Sequence, residues 1–424
     1  MAPTEPAAVI EAVWRLENAR IVGALTRLVR DVGMAEECAQ DALVAALEEW
    51  PDSGVPANPG GWLMLAAKHR AIDRLRRADN LTGKIDILSQ EYAQRQRTDI
   101  DTGGSEYAAI LDDDGLQDDV LRLVFVACHP VLPTPSRVAL TLRLLGGLTT
   151  EEIARAFLVP EPTVAQRIVR AKRMLAEKAV RFEVPAPVDR PARLGSVLEV
   201  LYLIFNEGHS ATTGDEWVRP EMCFEALRLG RMLAELASDE PEVHGLVALM
   251  EIQASRLRAR VDASGRPVPL AEQNRGRWDQ LLIRRGFAAL LRARALDRPF
   301  GPYVLQAAIA ACHARAGTPE ATDWPSIVAL YEQLDRVAPS PVLTVNHAVA
   351  LAMTTGPASG LRLLDGVSEV PAMATYHLLP AVRGDLLARL GRRDEARHEF
   401  ERAAALTANA RERAVLVERA RSLD

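Results

Sequence analysis

The sequence predicts an all-α protein, and three observations carry that expectation. Ala and Leu supply 67 and 55 of the 424 residues, while aromatics make up only 5%. Ala and Leu suit helix-on-helix packing, whereas β-branched and aromatic residues fill sheets. Apolar residues also recur at three- and four-residue spacing through most of the chain, and Pro and Gly clusters cut that pattern into helix-sized pieces. The length is enough for about two or three domains.

Residues 9–50 read as two helices, with Ile21, Leu25, Leu28 and Val29, then Cys38, Ala42 and Ala45, at helical spacing. Pro and Gly break the pattern over 51–61, and a third helix follows over 62–77, with Leu63, Ala67, Ala71 and Leu75 down one face. Periodicity is lost over 81–116, where Asp, Gly, Thr and Gln suggest a flexible acidic linker. Helices resume over 117–128, 136–145, 150–157 and 162–181. A Pro-rich linker over 183–193 precedes helices that continue to the last residue.

The sharpest local signal lies in TTEEIARAFLVPEPTVAQRIVRAKRML (149–175). Thr149 or Thr150 can cap a helix with Glu152 reaching back, LVPE is a tight break, and Pro162 suits the first turn of a second helix. In that helix Val164, Ile168, Ala171 and Leu175 face inward. Thr163, Gln166, Arg167 and Arg170, joined by Lys172 and Arg173, form the opposite face. This is a helix-turn-helix pattern whose second helix offers donors to a major groove, where Arg and Gln read guanine and adenine edges. An ordinary hairpin with a solvated basic face has the same pattern. The 62–77 helix adds Trp62 beside Lys68, Arg70, Arg74 and Arg77, an aromatic and cations suited to a strand whose bases are unstacked.

The net charge of −6 hides a segmental distribution. Residues 1–181 hold 22 basic and 26 acidic side chains, and ten of those acids, with two arginines, lie in 86–119. Without that stretch the remainder is at +4, concentrated in 68–77 and 167–181. The four cysteines (38, 128, 223 and 312) form no CxxC pair, which excludes a disulfide framework and disfavours a zinc ribbon. Glu207 and His209 in NEGHS could serve as metal ligands or an acid–base pair, or cap a helix end within a buried polar network. With no phosphate loop, nucleophile elbow or HExxH, neither enzyme activity nor a cofactor is expected. No apolar run is long enough to span a bilayer, so a cytoplasmic chain without membrane contact is expected.

RIVGALTRLVRDVGMAEECAQDALVAALEEW (20–50) followed by GWLMLAAKHRAIDRLRR (61–77) resembles region 2 of an extracytoplasmic-function (ECF) sigma factor of the sigma-70 family. Residues 137–175 resemble region 4 of the same family. The 47 Arg against four Lys suggest a GC-rich, bacterial source, and the resemblance implies a protein that binds core RNA polymerase and promoter DNA. Region 2 would occupy 1–80, a linker 81–116, and region 4 117–182. Gln40, Asp41, Leu43 and Ala46 would dock the polymerase β′ clamp helices. Trp62, Lys68, Arg70, Arg74 and Arg77 would open and read the −10 element. Thr163, Gln166, Arg167, Arg170, Lys172 and Arg173 would read the −35 element while neighbouring helices hold the β flap. Ala165-Gln166 stands where the family usually has a short polar or basic pair, so the preferred −35 sequence does not carry over.

The second half resembles a sigma subgroup with a long C-terminal helical extension, through LYLIFNEGHSATTG (201–214) and the helices after 300. A helical domain is expected over 194–300. Hairpins starting near Tyr303, Pro341 and Thr375 are expected to be tetratricopeptide-like repeats over 301–424; Ala396, Phe400 and Ala403 fit that pattern. Stacked repeats make a concave surface for a regulatory protein partner. Two rivals remain at this level: a helical-repeat scaffold, and a stand-alone helix-turn-helix repressor.

Overall fold

The structure is a computed structural model and describes residues 5–79, 113–211 and 216–423. The acidic segment expected over 81–116 lies outside the described residues except for 113–116, as does the 212–214 end of LYLIFNEGHSATTG. Among the described residues all regular structure is helix, apart from an isolated antiparallel bridge between Val261 and Pro267. Contacts divide the chain into two compact units, Met1–Val200 and Leu201–Asp424.

In the first unit, α1 (Glu5–Val29), α2 (Val32–Ser53) and α3 (Pro59–Asp79) pack as a bundle. Its core is Trp14, Ile21, Val22 and Leu25 from α1, Cys38, Ala42 and Trp50 from α2, and Leu63, Ala67 and Ala71 from α3. Asp31 separates α1 from α2 by accepting the Met34 amide (2.6 Å) as an N-cap. The break expected over 51–61 is narrower in the fold: only residues 54–58 are non-helical. The Ser53 hydroxyl donates to the Glu49 carbonyl (2.8 Å), and the Asn58 side chain accepts from the Gly61 amide (3.1 Å). Pro59 can open α3 because the first helical position needs no N–H partner.

The same unit continues with α4 (Asp113–Ala127), α5 (Thr134–Leu144), α6 (Thr150–Phe157) and α7 (Glu161–Glu177). Asp119, counted in the sequence with the acids of 86–119, is fully buried, with Arg122 at 2.7 Å and Arg27 at 3.2 Å. Burial raises its carboxyl pKa, and the two arginines oppose that rise. Helix α8 (Arg190–His209) begins inside the segment expected to be a Pro-rich linker. Its first turns are seated on the C-terminal end of α4: Arg193 donates to the Phe125 carbonyl (2.7 Å) and Ser196 to the Cys128 carbonyl (2.6 Å).

The second unit holds α9 (Pro220–Leu236), α10 (Pro241–Ser255) and α11 (Gln280–Ala295), followed by antiparallel pairs. These are α12 (Pro302–Arg315) with α13 (Trp324–Val337), α14 (Pro341–Thr355) with α15 (Pro357–Asp365), and α16 (Leu378–Arg389) with α17 (Arg393–Leu406). Helix α18 (Ala410–Arg421) follows them. Ala396, Phe400 and Ala403 of α17 are buried in a cluster with Leu364, Leu386 and Leu416. The Asn409 carboxamide oxygen caps α18, accepting from Arg411 (3.0 Å) and Glu412 (3.2 Å). Its nitrogen donates to the carbonyls of Ala211 (3.2 Å) and Glu216 (3.0 Å).

Candidate nucleic-acid interface

The α6–α7 hairpin is built by local chemistry. The Thr149 hydroxyl accepts the Glu152 amide (3.1 Å), and the Glu152 carboxylate accepts the Thr149 amide (2.7 Å), a complete capping box. Leu158 ends α6 with φ +49°, and Pro162 lies in the first turn of α7. Val164, Ile168, Ala171 and Leu175 are buried. On the opposite side Gln166 and Arg170 are exposed and Thr163 and Arg167 half-buried. Neither arginine has an ion-pair partner among the described residues. Arg173 is exposed and bonded to Glu177 (2.6 Å).

Lys172 departs from that face. It lies two residues beyond Arg170, about 200° around the helix, and its ammonium meets the buried Glu36 carboxylate of α2. The other Glu36 oxygen takes Arg143 Nε at 2.7 Å. Burial would raise the Glu36 carboxyl pKa, but Lys172 and Arg143 together hold it below its ordinary value. A second seam joins α1 to the loop entering α6. Trp14 Nε1 donates to the Gly147 carbonyl (3.2 Å), Asn18 to the Leu144 carbonyl (2.7 Å), and Arg15 meets Glu152 (2.8 Å). Gly147 has φ +69°, and a Cβ there would lie 3.2 Å from the Trp14 indole. Where the α1–α2 turn faces the end of α7, a cleft of about 990 Å³ is lined by Arg27, Arg30, Arg74, Lys172, Arg173 and Arg181, against Asp31 and Glu37.

On α3, Trp62 is half-buried and meets the core residue Trp50 edge to face, centroids 5.4 Å apart. Lys68 is half-buried; burial, then Arg27, lowers its pKa. Arg70 donates to the Ala66 carbonyl (3.3 Å), and Arg77 is exposed. Arg74 bonds Glu37 (2.5 Å) and Asp41 (2.8 Å) on α2, so two residues expected to act separately share one ion-pair cluster. Gln40, Asp41 and Leu43 are half-buried. Ala46, expected at the polymerase surface, is instead 0% exposed: its turn of the helix faces α1 and α3, and it cannot touch a partner in this arrangement. The face continuing from Gln40 and Asp41 instead presents Val44 (51% exposed) and Leu47 (46%). Their i+4 and i+7 spacing from Gln40 was the signal available in the sequence.

Glu207 and His209 do not form an acid–base pair. Glu207 meets Arg219 (2.7 Å), while His209 stacks on Phe205 (5.6 Å between centroids). Among the described residues no group of three or more His, Cys, Asp and Glu could hold a metal ion, and no helix is long and apolar enough to cross a membrane.

Comparison with known proteins gives three family matches along the chain. The profile of sigma-70 region 2 matches residues 15–80, that of sigma-70 region 4 matches 122–175, and a family of unknown function (DUF6596) matches 193–294. An uncharacterised protein of Rhizobium meliloti (strain 1021) is 44% identical over 395 residues, 93% of this chain and 91% of the relative. The ECF RNA polymerase sigma factor SigK of Mycobacterium ulcerans (strain Agy99) is 28% identical over 160 residues, 37% of this chain and 78% of the relative. The probable ECF RNA polymerase sigma factor SigI of Mycobacterium tuberculosis (strain CDC 1551 / Oshkosh) is 25% identical over 175 residues, 41% of this chain and 57% of the relative. No solved structure matches the chain at a significant level. The chain thus belongs to the ECF sigma factors of the sigma-70 family, proteins that bind core RNA polymerase and promoter DNA in transcription initiation, here with a C-terminal helical extension.

Proposed function

We propose that the exposed face of α7 reads the −35 element, with Gln166, Arg167 and Arg170 at base edges and Thr163 and Arg173 at phosphates. The observation that carries this is the pair Arg167 and Arg170, guanidiniums without an ion-pair partner among the described residues, opposite a helix face that is buried. Lys172 takes part only after leaving Glu36. Trp62, with Lys68, Arg70 and Arg77, acts on the −10 element. Arg74 holds α3 to α2 through Glu37 and Asp41, and joins the DNA contacts only by giving those up.

The polymerase surface is the α2 face of Gln40, Asp41, Val44 and Leu47, with Leu43 at its edge. Two exposed apolar side chains beside polar ones suit docking on the β′ clamp helices better than Ala46 does, since exposed apolar area supplies the driving force. Helices neighbouring α7 would hold the β flap. The extension regulates initiation, its tetratricopeptide-like helix pairs offering a surface to a protein partner. The acidic segment 81–112 and the Pro-containing 183–189 serve as connections, residues 113–116 and 190–193 belonging to helices α4 and α8.

The test is run-off transcription with core RNA polymerase on pooled genomic promoters, comparing the full chain with Arg167→Ala and Arg170→Ala. Loss of promoter-selective transcripts, with binding to core retained, is the expected result. Equal transcripts from all three proteins would refute the α7 assignment.

A further inference from the structure

Arginines set into the second unit meet carboxylates or, like Arg275 with His313 (2.5 Å) and Ala316 (2.6 Å), backbone carbonyls. Arg219 meets Glu207 (2.7 Å), Arg231 meets the buried Glu251 (2.8 Å), and Arg383 lies between Asp365 (2.6 Å) and Glu399 (3.2 Å). Arg256 and Arg260 have neither among the described residues. They flank the 3-10 turn Leu257–Ala259 into which α10 runs, close enough for the charge of Arg260 to act on Arg256. Arg260 is 8% exposed; its guanidinium lies 5.7 Å from the centre of the Trp217 ring, and its Nε has no hydrogen-bond partner. Arg256 is half-buried, and its Nε donates to a neutral group, the Gln253 carboxamide oxygen, at 2.8 Å. Neither has a carboxylate partner among the described residues; Glu207 is held by Arg219 and Glu225 by Arg228.

His209 completes the cluster. The ring is 9% exposed, stacks on Phe205, and leaves Nε2 buried without a partner. Burial, then Arg260 and Arg256, pushes its pKa far down, so it stands neutral beside both cations. Burial lowers both guanidiniums too; at Arg256 repulsion from Arg260 adds to it and no anion opposes it, while at Arg260 only the Cys223 thiol works against it. The backbone around the cluster is fixed. A Cβ at Gly208 would lie 2.7 Å from the Cys223 nitrogen, so α8 and α9 meet there as closely as backbones allow, and the Cys223 thiol reaches the Phe205 carbonyl (3.6 Å).

Two guanidiniums withdrawn from water side by side carry a large desolvation penalty unless an anion joins them. Planar forks of N–H donors match the oxygens of a phosphoryl group. We propose that Arg256, Arg260 and His209 form a binding site for a phosphoryl oxyanion, either free phosphate or a small phosphomonoester. The site lies within the 193–294 segment and does not depend on the promoter assignments.

The test uses the full chain in a buffer free of other oxyanions. Inorganic phosphate, glycerol phosphate and, as a dicarboxylate, succinate are titrated calorimetrically at matched ionic strength, with melting followed in parallel. Saturable binding of phosphate or its ester, with a rise in melting temperature, is expected. The tighter of the two identifies the source as free or esterified. Arg260→Gln should weaken that binding by about tenfold or more, ~1.4 kcal/mol, while Arg258→Gln, an exposed neighbour, should not. Without ligand, Arg256→Gln should melt at or above wild type, because it removes an uncompensated charge; a purely structural arginine would melt lower. Absence of saturable phosphate or ester binding to wild type, succinate binding as tightly, or a lower-melting Arg256→Gln would each overturn the site. Should Arg260→Gln fail to fold, the wild-type titration and Arg256→Gln decide.

Discussion

Replacing Glu36 with Gln should loosen region 4 from region 2. The Glu36 side chain is 6% exposed and bridges Arg143 (17%) and Lys172 (19%). At an effective dielectric near 20, one such pair at about 4 Å is worth ~4 kcal/mol. Two pairs are lost, offset by relief of the several kcal/mol needed to bury the carboxylate. A net cost of about 2–4 kcal/mol shifts the closed-to-open ratio by roughly 30- to 1,000-fold. Opening bears on function because elements named for positions 10 and 35 lie about 25 base pairs apart, roughly 85 Å at about 3.4 Å per base pair. Helix α1, with 25 residues, is only about 37 Å long. Spin labels at Glu48→Cys and Arg155→Cys, both exposed, would report the separation by electron–electron resonance, with run-off transcription alongside. The expected result is a longer-distance population in Glu36→Gln and more transcript at limiting protein, as a competent state becomes more populated. An unchanged distance distribution together with unchanged melting would refute the clasp.

Other outcomes rest on the same geometry. Arg167→Ala or Arg170→Ala should each cost about 1–3 kcal/mol of −35 discrimination if a base contact is lost, read from competition between matched and scrambled −35 duplexes in polymerase complexes. Arg74→Ala and Asp41→Ala should be non-additive in core binding, with a coupling of about 0.2–1 kcal/mol for so exposed a pair; a double-mutant cycle returning zero would separate them again. Phe400→Ala should destabilise the second unit by about 3–5 kcal/mol in urea unfolding, since its ring is buried within the α17 cluster. Acid should weaken both units. Burial, then Arg193, holds His129 down to about 4, and burial, then Arg256 and Arg275, holds His313 at about 4. Their stabilisation is whole above about pH 6.5 and drains as pH falls toward 4. Glu36, held low, adds its loss below about pH 4.5. A melting temperature flat from pH 7 to 4.5 would contradict the histidine part.

What the sequence made legible was local. Thr149 and Glu152 sit three residues apart and cap each other, and the Val164, Ile168, Ala171 and Leu175 stripe repeats with the helix, so the hairpin could be read from neighbours alone. What it hid was decided at a distance. Lys172 looks like one more cation beside Arg173 until Glu36, 136 residues earlier, turns it inward. Asp119 looks like the last acid of a charged run until Arg27 meets it across the bundle. Ala46 follows Gln40 and Asp41 closely enough to suggest a shared face, yet only the packing of α2 between α1 and α3 shows it buried. The unpaired state of Arg256 and Arg260 is likewise a property of where every carboxylate ended up, which spacing along the chain does not encode.

Asn409 gives the second unit an unusual kind of closure. Stacked helix pairs ordinarily communicate only with their neighbours, so such arrays can lengthen or shorten by whole repeats. Here one side chain both starts α18 and grips the backbone at Ala211 and Glu216, nearly two hundred positions earlier. Inserting or deleting a helix pair between those points would carry Asn409 out of reach and break the ring. The extension is therefore locked to its present number of pairs, and change by duplication is open to it only if that grip is abandoned.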